Sequence, residues 1–253
     1  MDLHYPERIQ SALPWNWRSS VWESNTRVDL AFSSPLSSQQ DFGSLPFGWK
    51  HTSGPGNSNG NNFRPIGGRG PDGGPRFSQS VSPGGYLWWY IDGTSEDGKN
   101  AISIIIFVGS VFSPYYAHAR KLNLSGANPN NFCSFNVAIY NKKNKIWTMT
   151  EYGEKHTSRT DTSYNIGNSQ IQWNGSEVEL MIDEISTPVP KKVKGTVKLS
   201  SDKFFLYSTW LDDSKKHRWG PIAPSAKIEV DFPDLGINWN GHGYMDSNEG
   251  DEP

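Results

Sequence analysis

The chain has 253 residues and a formal net charge of -2, with 24 basic and 26 acidic side chains. Because these charges form no basic stripe, the sequence excludes nucleic acid as a partner. The 11 Trp, 10 Tyr and 12 Phe, together with 25 Gly and 17 Pro, favour strands joined by turns over helices. A single cysteine, Cys133, excludes both an internal disulfide framework and a site built from several thiolates.

Residues 1–75 predict an N-terminal extension that contains one or two strands and a linker. Residues 26–32 are its clearest strand, and residues 51–75 consist almost entirely of Gly, Pro, Asn and other turn-forming residues. Charges and a proline interrupt the first residues where a secretory signal would be apolar, so we expect a cytoplasmic protein. The longest apolar run, residues 102–108, is too short to cross a bilayer.

Short β-rich runs separated by turns predict a second domain over residues 76–253. They begin near residues 86, 101, 133, 145, 169, 177, 193, 203 and 226, and residues 114–122 predict a brief helix. Alternation of Val178, Leu180 and Ile182 with acidic residues turns one face of a strand inward. The pattern indicates an all-β antiparallel barrel or a closely related β-sandwich. We favour the barrel, because it can enclose a ligand cavity that Trp and Tyr would line.

Three carboxylates are candidates for a supporting role in acid-base chemistry. Asp92 ends a strand beside Trp88 and Tyr90, where its carboxylate is expected to be partly desolvated, although a structural hydrogen bond explains it equally well. Asp183 and Glu184 are adjacent on a strand, so one of them should point inward. A structural salt bridge or backbone hydrogen bond is the simpler use of that pair.

Two further segments place an ionisable and an aromatic side chain two residues apart, and therefore on one face of an extended strand. They contain His217 with Trp219, and Tyr244 with Asp246. Asp246 also opens a pattern similar to a calcium loop, but its sixth position is Asp251 instead of glycine. The six histidines form no pair at metal-ligand spacing. We therefore expect no metal.

Seven ordered blocks from about residue 74 to the end resemble the carotenoid 1,2-hydratases, also called hydroxyneurosporene synthases. The blocks are YLWWYIDGTSEDG, FVGSVFSPYYAHAR, FNVAIYN, WTMTEYG, IDEISTPVP, HRWGPIAP and GHGYMDSNEGDEP. The resemblance implies a lipocalin-like (calycin) fold and a hydro-lyase that hydrates acyclic carotenoids without a cofactor. It implies catalytic roles for Asp246 as proton donor and for Tyr244, His217 and Trp219. Aromatic residues in and beside the blocks are candidates for substrate binding: Trp88, Tyr90, Phe112, Tyr115 and Trp239.

A carboxylic acid kept neutral by apolar surroundings can protonate an alkene to a tertiary carbocation, which aromatic ring faces stabilise. Capture by water gives a hydratase. Capture by another double bond gives a cyclase or rearrangement enzyme for prenylated natural products, and a third alternative is a non-catalytic binder of a hydrophobic ligand or a sugar. The expected partners are an isoprenoid or prenylated small molecule and water, and peripheral membrane contact stays open as a route for substrate access. Family members typically continue beyond GDEP, so we expect a pocket wall that is incomplete or built differently.

Overall fold

The computed structural model describes residues 68–122, 127–142 and 145–251. The predicted strand at residues 26–32 and most of the predicted linker lie outside the described residues, and the domain boundary after residue 75 stays a prediction. Residues 68–75 contact the sheet, because the indole nitrogen of Trp89 donates a 2.9 Å hydrogen bond to the carbonyl of Gly68.

Thirteen strands in the described residues form one antiparallel sheet. In chain order they are β1 (Tyr86–Ser95), β2 (Ala101–Val108), β3 (Cys133–Tyr140), β4 (Lys145–Thr148), β5 (Glu151–Tyr152), β6 (Thr157–Arg159), β7 (Ser163–Ile166), β8 (Ser169–Trp173), β9 (Glu177–Ile185), β10 (Lys192–Ser200), β11 (Thr209–Trp210), β12 (His217–Phe232) and β13 (Ile237–Gly250). The other elements are helix α1 (Pro114–Leu122) and 3₁₀ turns at Pro129–Asn131, Glu154–His156 and Pro233–Leu235. None of the described helices has the length and hydropathy needed to span a membrane.

The sequence located most of these elements, and α1 has the predicted bounds. The run that begins at residue 203 is the main correction: it was expected to be a strand, yet only β11 is extended there. The carbonyls of Phe205 and Tyr207 accept hydrogen bonds from the Arg69 side chain, so those carbonyls are not available to a strand ladder. The short strands β6 and β7 were missed, because β6 has no apolar residue and β7 has only two, Tyr164 and Ile166.

The strand order is β4-β3-β2-β1-β13-β12-β10-β9-β8-β7-β6, with β5 on β3 and β11 on β12. The sheet curls back on itself, since β7 contacts β1 and β2 without pairing with them. Tyr164 of β7 packs edge-on against Trp89 with ring centroids 6.0 Å apart, and its hydroxyl donates a 3.0 Å hydrogen bond to the Phe107 carbonyl. The curled antiparallel sheet confirms the predicted all-β fold class.

The inner face of the curled sheet carries the hydrophobic core. Leu87, Trp89 and Ile91 of β1 are fully buried there, as is Met245 of β13. Residues of this kind from the other long strands continue the cluster, including Ile104, Val137, Leu180, Val197 and Val230. The barrel prediction expected a ligand cavity on the inner face, whereas core side chains fill that face.

Three neighbouring strands, β12, β13 and β1, position the polar residues of interest. β12 and β13 form a hairpin closed by the Pro233–Leu235 turn and by Gly236, whose φ of 63° favours glycine. Asp246 of β13 pairs with Pro221 of β12 on one side and with Tyr90 of β1 on the other. Directly paired side chains lie on the same side of a sheet. The face opposite the core, here called the outer face, therefore presents Tyr86, Trp88, Tyr90, Asp92, His217, Trp219, Tyr244, Asp246 and Asn248.

Candidate active site

Asp246 is the centre of the outer face. Its side chain is only 7% exposed. Oδ2 accepts 2.8 Å hydrogen bonds from the Trp219 indole N–H and from the Tyr244 hydroxyl. Oδ1 accepts a 3.0 Å hydrogen bond from the Asn248 amide. Both carboxyl oxygens are therefore held in place by side chains of a single hairpin.

The carboxyl of Asp246 is a weak acid for an aspartate. Burial raises its pKa to about 6, and the charge of Asp92 acts in the same direction. Hydrogen bonds from Trp219 and Tyr244 and the charge of Arg69 oppose this rise. Because the pKa lies within a unit of neutrality, about a tenth of the molecules carry the proton at pH 7, and more at lower pH.

The hydroxyl of Tyr244 remains a hydrogen-bond donor throughout the physiological range. Burial raises its pKa far above the usual value, and the neighbouring carboxylate of Asp246 raises it further. The indole N–H of Trp219 can only donate a hydrogen bond and never accepts one. Oδ2 of Asp246 thus faces two permanent donors, which favours a proton on Oδ1.

His217 lies on the same face but away from the carboxyl. It pairs with Gly250, four residues along β13 from Asp246, or about 13 Å at the usual strand rise. Its Nδ1 is 2.8 Å from the Tyr86 hydroxyl, and the two rings stack with centroids 6.0 Å apart. His217 and Asp246 therefore share a face of the sheet, but their positions along it keep His217 from touching the acid.

A series of aromatic rings extends from His217 across β1 to β2. Tyr86 stacks on Trp88 at 4.7 Å between centroids, and Trp88 meets Phe107 edge-on at 5.5 Å. Phe112, a predicted substrate contact, packs against Phe107 at 5.0 Å and so extends this surface. Here the term aromatic row refers to these residues: Tyr86, Trp88, Phe107 and Phe112.

Tyr90 and Asp92 adjoin the acid on the side of β1. The Tyr90 ring lies 6.3 Å from that of Tyr244, and its hydroxyl donates a 3.0 Å hydrogen bond to Asp92. Asp92 pairs with Tyr244, so it lies diagonally from Asp246 on the outer face. Diagonal neighbours are about 7–8 Å apart, which brings two carboxylates to one site.

Two predicted substrate contacts lie elsewhere. Trp239 is buried in the core cluster on the inner face, because seven residues, an odd number, separate it from Asp246 along β13. Tyr115 projects from α1 and is 72% exposed. The structure brings neither side chain to the acid.

Asp183 and Glu184 are also remote from the acid, because β9 is three strands from β13. They take opposite faces as predicted. Asp183 lies 3.7 and 3.9 Å from the ammonium groups of Lys192 and Lys194. Glu184 is buried on the inner face, accepts a 2.6 Å hydrogen bond from Ser169, and has a pKa raised to about 7 by burial.

Two residues at the site were not among the predicted ones. Asn248 follows Asp246 by two residues, so the spacing that selected Tyr244 selects it equally. Arg69 offers no such signal, since 178 residues separate it from its partner Ser247. Among the described residues, no group of three or more His, Cys, Asp or Glu side chains could hold a metal ion.

Nearly the whole chain is similar to known carotenoid hydratases. Residues 104–253 match the family model described as carotenoid hydratase CrtC. The acyclic carotenoid 1,2-hydratase of Rubrivivax gelatinosus is 43% identical over 245 residues, which cover 97% of this chain and 60% of that protein. That of Thiocapsa roseopersicina is 39% identical over 250 residues, covering 99% of this chain and 61% of that protein. The chain thus spans about three-fifths of the length of these relatives.

A crystal structure of CghA has a TM-score of 0.35 and 14% identity, and the superposition covers 68% of this chain and 48% of that chain. The fold assignment rests on the strand topology described above.

Proposed function

Since the chain belongs to the carotenoid hydratase family, we propose that it adds water to a trisubstituted isoprenoid double bond, with Asp246 as the acid and without a cofactor. One observation carries the proposal: a buried carboxyl with a pKa raised to about 6 is held by the donors of two aromatic side chains, Trp219 and Tyr244. A fraction of the molecules therefore keeps this carboxyl protonated near neutral pH. The adjoining rings offer the surface that a carbocation requires.

Proton transfer starts from Oδ1 of Asp246. Oδ2 takes both aromatic donors, so the proton is carried by the oxygen beside Asn248, whose amide can turn its oxygen toward that proton. The π electrons of the substrate form a C–H bond with this proton at the less substituted carbon. The tertiary carbon becomes the cation, and Asp246 becomes a carboxylate.

Water then completes the addition. Its oxygen forms the C–O bond at the tertiary carbon, and the proton that it loses returns to the Asp246 carboxylate. The ring faces of Trp219 and Tyr244 each stabilise the cation by about 1–2 kcal/mol when water is excluded. Asp92, diagonal to the acid, is the carboxylate that we assign to orienting the water.

The remainder of the isoprenoid chain is proposed to bind along the aromatic row. The continuous ring contacts from Phe112 to Tyr86 support this direction. His217 is then a substrate-positioning residue, because its hydrogen bond to Tyr86 fixes the end of the row. Glu184, Asp183, Tyr115 and Trp239 have no part in the proposed site.

Peripheral membrane contact is proposed for substrate access, because long isoprenoids partition into bilayers. Leu206, Trp210 and Leu211 are exposed, and β11 pairs with β12 at Trp219, next to the acid. Replacement of Leu206 and Leu211 by serine should reduce flotation with liposomes. The matched control is Val189→Ser, an exposed apolar side chain of another loop, which should leave flotation unchanged. Equal flotation of all variants would exclude this route.

The test of function is product analysis in H₂¹⁸O. Incubation with lycopene or neurosporene should give a tertiary alcohol that contains ¹⁸O. A parallel incubation with a prenylated small molecule tests the cyclase alternative, for which an unlabelled isomer is the expected product. Tight binding without any product, unchanged in Asp246→Asn, would instead identify a carrier.

A further inference from the structure

Arg69 is a buried arginine directly behind the acid. Its side chain lies on the inner side of the sheet and is only 4% exposed. Nε donates a 3.3 Å hydrogen bond to the hydroxyl of Ser247, the residue that follows Asp246. A Cβ added to Gly220, which pairs with Ser247, would lie 2.8 Å from the guanidinium carbon. The guanidinium therefore lies against the Gly220–Ser247 pair, which is next to the Pro221–Asp246 pair.

The same side chain holds the irregular segment that follows β10. Nη1 donates hydrogen bonds to the carbonyl of Phe205, at 3.1 Å, and to that of Tyr207. This segment leads into β11, which pairs with β12 at Trp219, a donor to the acid. Arg69 thus contacts both the strand that carries the acid and the segment that leads to the strand pairing with Trp219.

Among the charges around Arg69, the Asp246 carboxylate is the one that interacts with it most strongly. Burial lowers the pKa of Arg69 to about 10, so it is protonated at neutral pH. Of the charges that oppose this fall, that of Asp246 is the strongest. Arg218 and Glu249, also on the inner face, lie 3.6 Å apart and largely balance each other. On the outer face, Tyr244 and Asp92 are the titratable groups that act on Asp246.

We propose that Arg69 is a positioning residue that sets the acid strength of Asp246 from the opposite face of the sheet. This inference rests on the proposed function. A buried carboxyl surrounded only by apolar groups and Asp92 would hold its proton too firmly to protonate an alkene. A cation close to the carboxyl stabilises the conjugate base and so favours proton transfer. Because Arg69 is behind the sheet, it gives this stabilisation without lying next to the carbocation on the outer face.

The direct test is a pH titration of the Asp246 carboxyl, monitored by ¹³C NMR of protein labelled at aspartate Cγ. The Asp246 signal is assigned by its absence from the spectrum of Asp246→Asn. Arg69→Met should raise the pKa of Asp246 by about one unit. Arg69→Lys, which keeps the charge, should restore most of the wild-type value. A purely structural role for Arg69 predicts no such difference between the two variants.

Arg159→Met is the matched control. Arg159 also donates to two backbone carbonyls, those of Phe77 and Gln79, but it is not among the charges that act on Asp246. It should alter stability without moving the titration. Gly220→Ala gives a second route if Arg69→Met does not fold, because the new methyl would clash with the guanidinium and with the Tyr207 carbonyl that it binds, so both must shift while the charge remains. That variant should raise the pKa of Asp246 by less than one unit.

An unchanged Asp246 pKa in folded Arg69→Met or Gly220→Ala would overturn the inference. The titration requires no turnover, so absence of hydration in the wild type would overturn the proposed function alone. Where turnover is measured, the pH dependence of kcat/KM should move upward with the NMR value in Arg69→Met and return in Arg69→Lys.

Discussion

Successive residues of β13 point alternately to the inner and outer faces of the sheet, and the two faces have different surroundings. Met245 is fully buried among aliphatic and aromatic core residues, whereas its neighbour Asp246 accepts three polar hydrogen bonds. The same division holds on β1, where Ile91 faces the core and Tyr90 faces the acid. A step of one residue therefore separates packing, which stabilises the fold, from the groups to which we assign the chemistry. Substitutions of adjacent residues can test this division.

The largest effect is expected on turnover. Asp246→Asn cannot donate the proton, so we expect turnover to fall by about 10²–10⁴-fold while substrate binding is kept. The measurement is hydrated product per enzyme, with binding followed by tryptophan fluorescence. Met245→Leu, which conserves volume on the inner face, is the control and should keep most of the turnover. Wild-type turnover in Asp246→Asn would remove this residue from the role of acid.

The next effect is on stability and belongs to the inner face. Ile91→Ala leaves a cavity in the core and should lower the free energy of unfolding by about 2–5 kcal/mol. Tyr90→Phe, one residue away on the outer face, loses the hydrogen bond to Asp92 and should cost about 1 kcal/mol. Urea denaturation measures both. Equal losses in the free energy of unfolding would mean that the inner face does not contribute more to stability than the outer face.

A pH-dependent contrast is expected on β9. Burial raises the pKa of Glu184 to about 7, above its value in the unfolded chain. The folded state then binds more protons between about pH 4.5 and 7, so the wild type loses stability as pH rises through this window. Glu184→Gln avoids the loss and should gain on the order of 1–3 kcal/mol relative to wild type across it.

Asp183→Asn, the adjacent residue on the other face, is the control for this contrast. Its ion pairs are screened by solvent, so the change should stay below about 1 kcal/mol. Thermal unfolding at pH 4.5 and 7.5 measures both variants. A gain for Glu184→Gln that does not depend on pH would contradict burial of an ionisable carboxyl.

The smallest expected effect is a shift of the pH profile. Tyr244→Phe removes one donor that stabilises the Asp246 carboxylate, so the pKa of Asp246 should rise by up to about one unit. The pH dependence of kcat/KM should move upward by the same amount. Asn165→Asp, a surface change on β7, should leave the profile in place. A downward shift in Tyr244→Phe would show that the hydroxyl does not stabilise the charged form.

Much of the fold follows from local patterns. Short β-rich runs between turns predicted β3 and β8, and apolar alternation predicted β9, because side chains of period two must separate inside from outside. It also placed Tyr244 with Asp246. Alternation does not say which face becomes the interior, so the candidate residues were expected to line the inside of a barrel, whereas Asp246, Tyr244, Trp219 and His217 lie on the outer face.

The errors at the site have two physical origins. Trp239 was chosen for its ring, although counting residues along β13 places it on the opposite face from Asp246. Arg69 was out of reach for a different reason: its contacts with Ser247 and with the 205–207 segment span more than a hundred residues each. No local pattern encodes such contacts.

The β12–β13 hairpin also has a kinetic consequence. It contains the acid and all three of its side-chain hydrogen-bond donors, and at most 27 residues separate any donor from Asp246. A hairpin of this kind zips from its turn on a microsecond scale, without waiting for distant strands. We therefore expect the geometry of these hydrogen bonds to form early and locally during folding. We expect the pKa of Asp246 to reach its folded value later, when the distant Arg69 segment and β1 dock and water leaves the carboxyl.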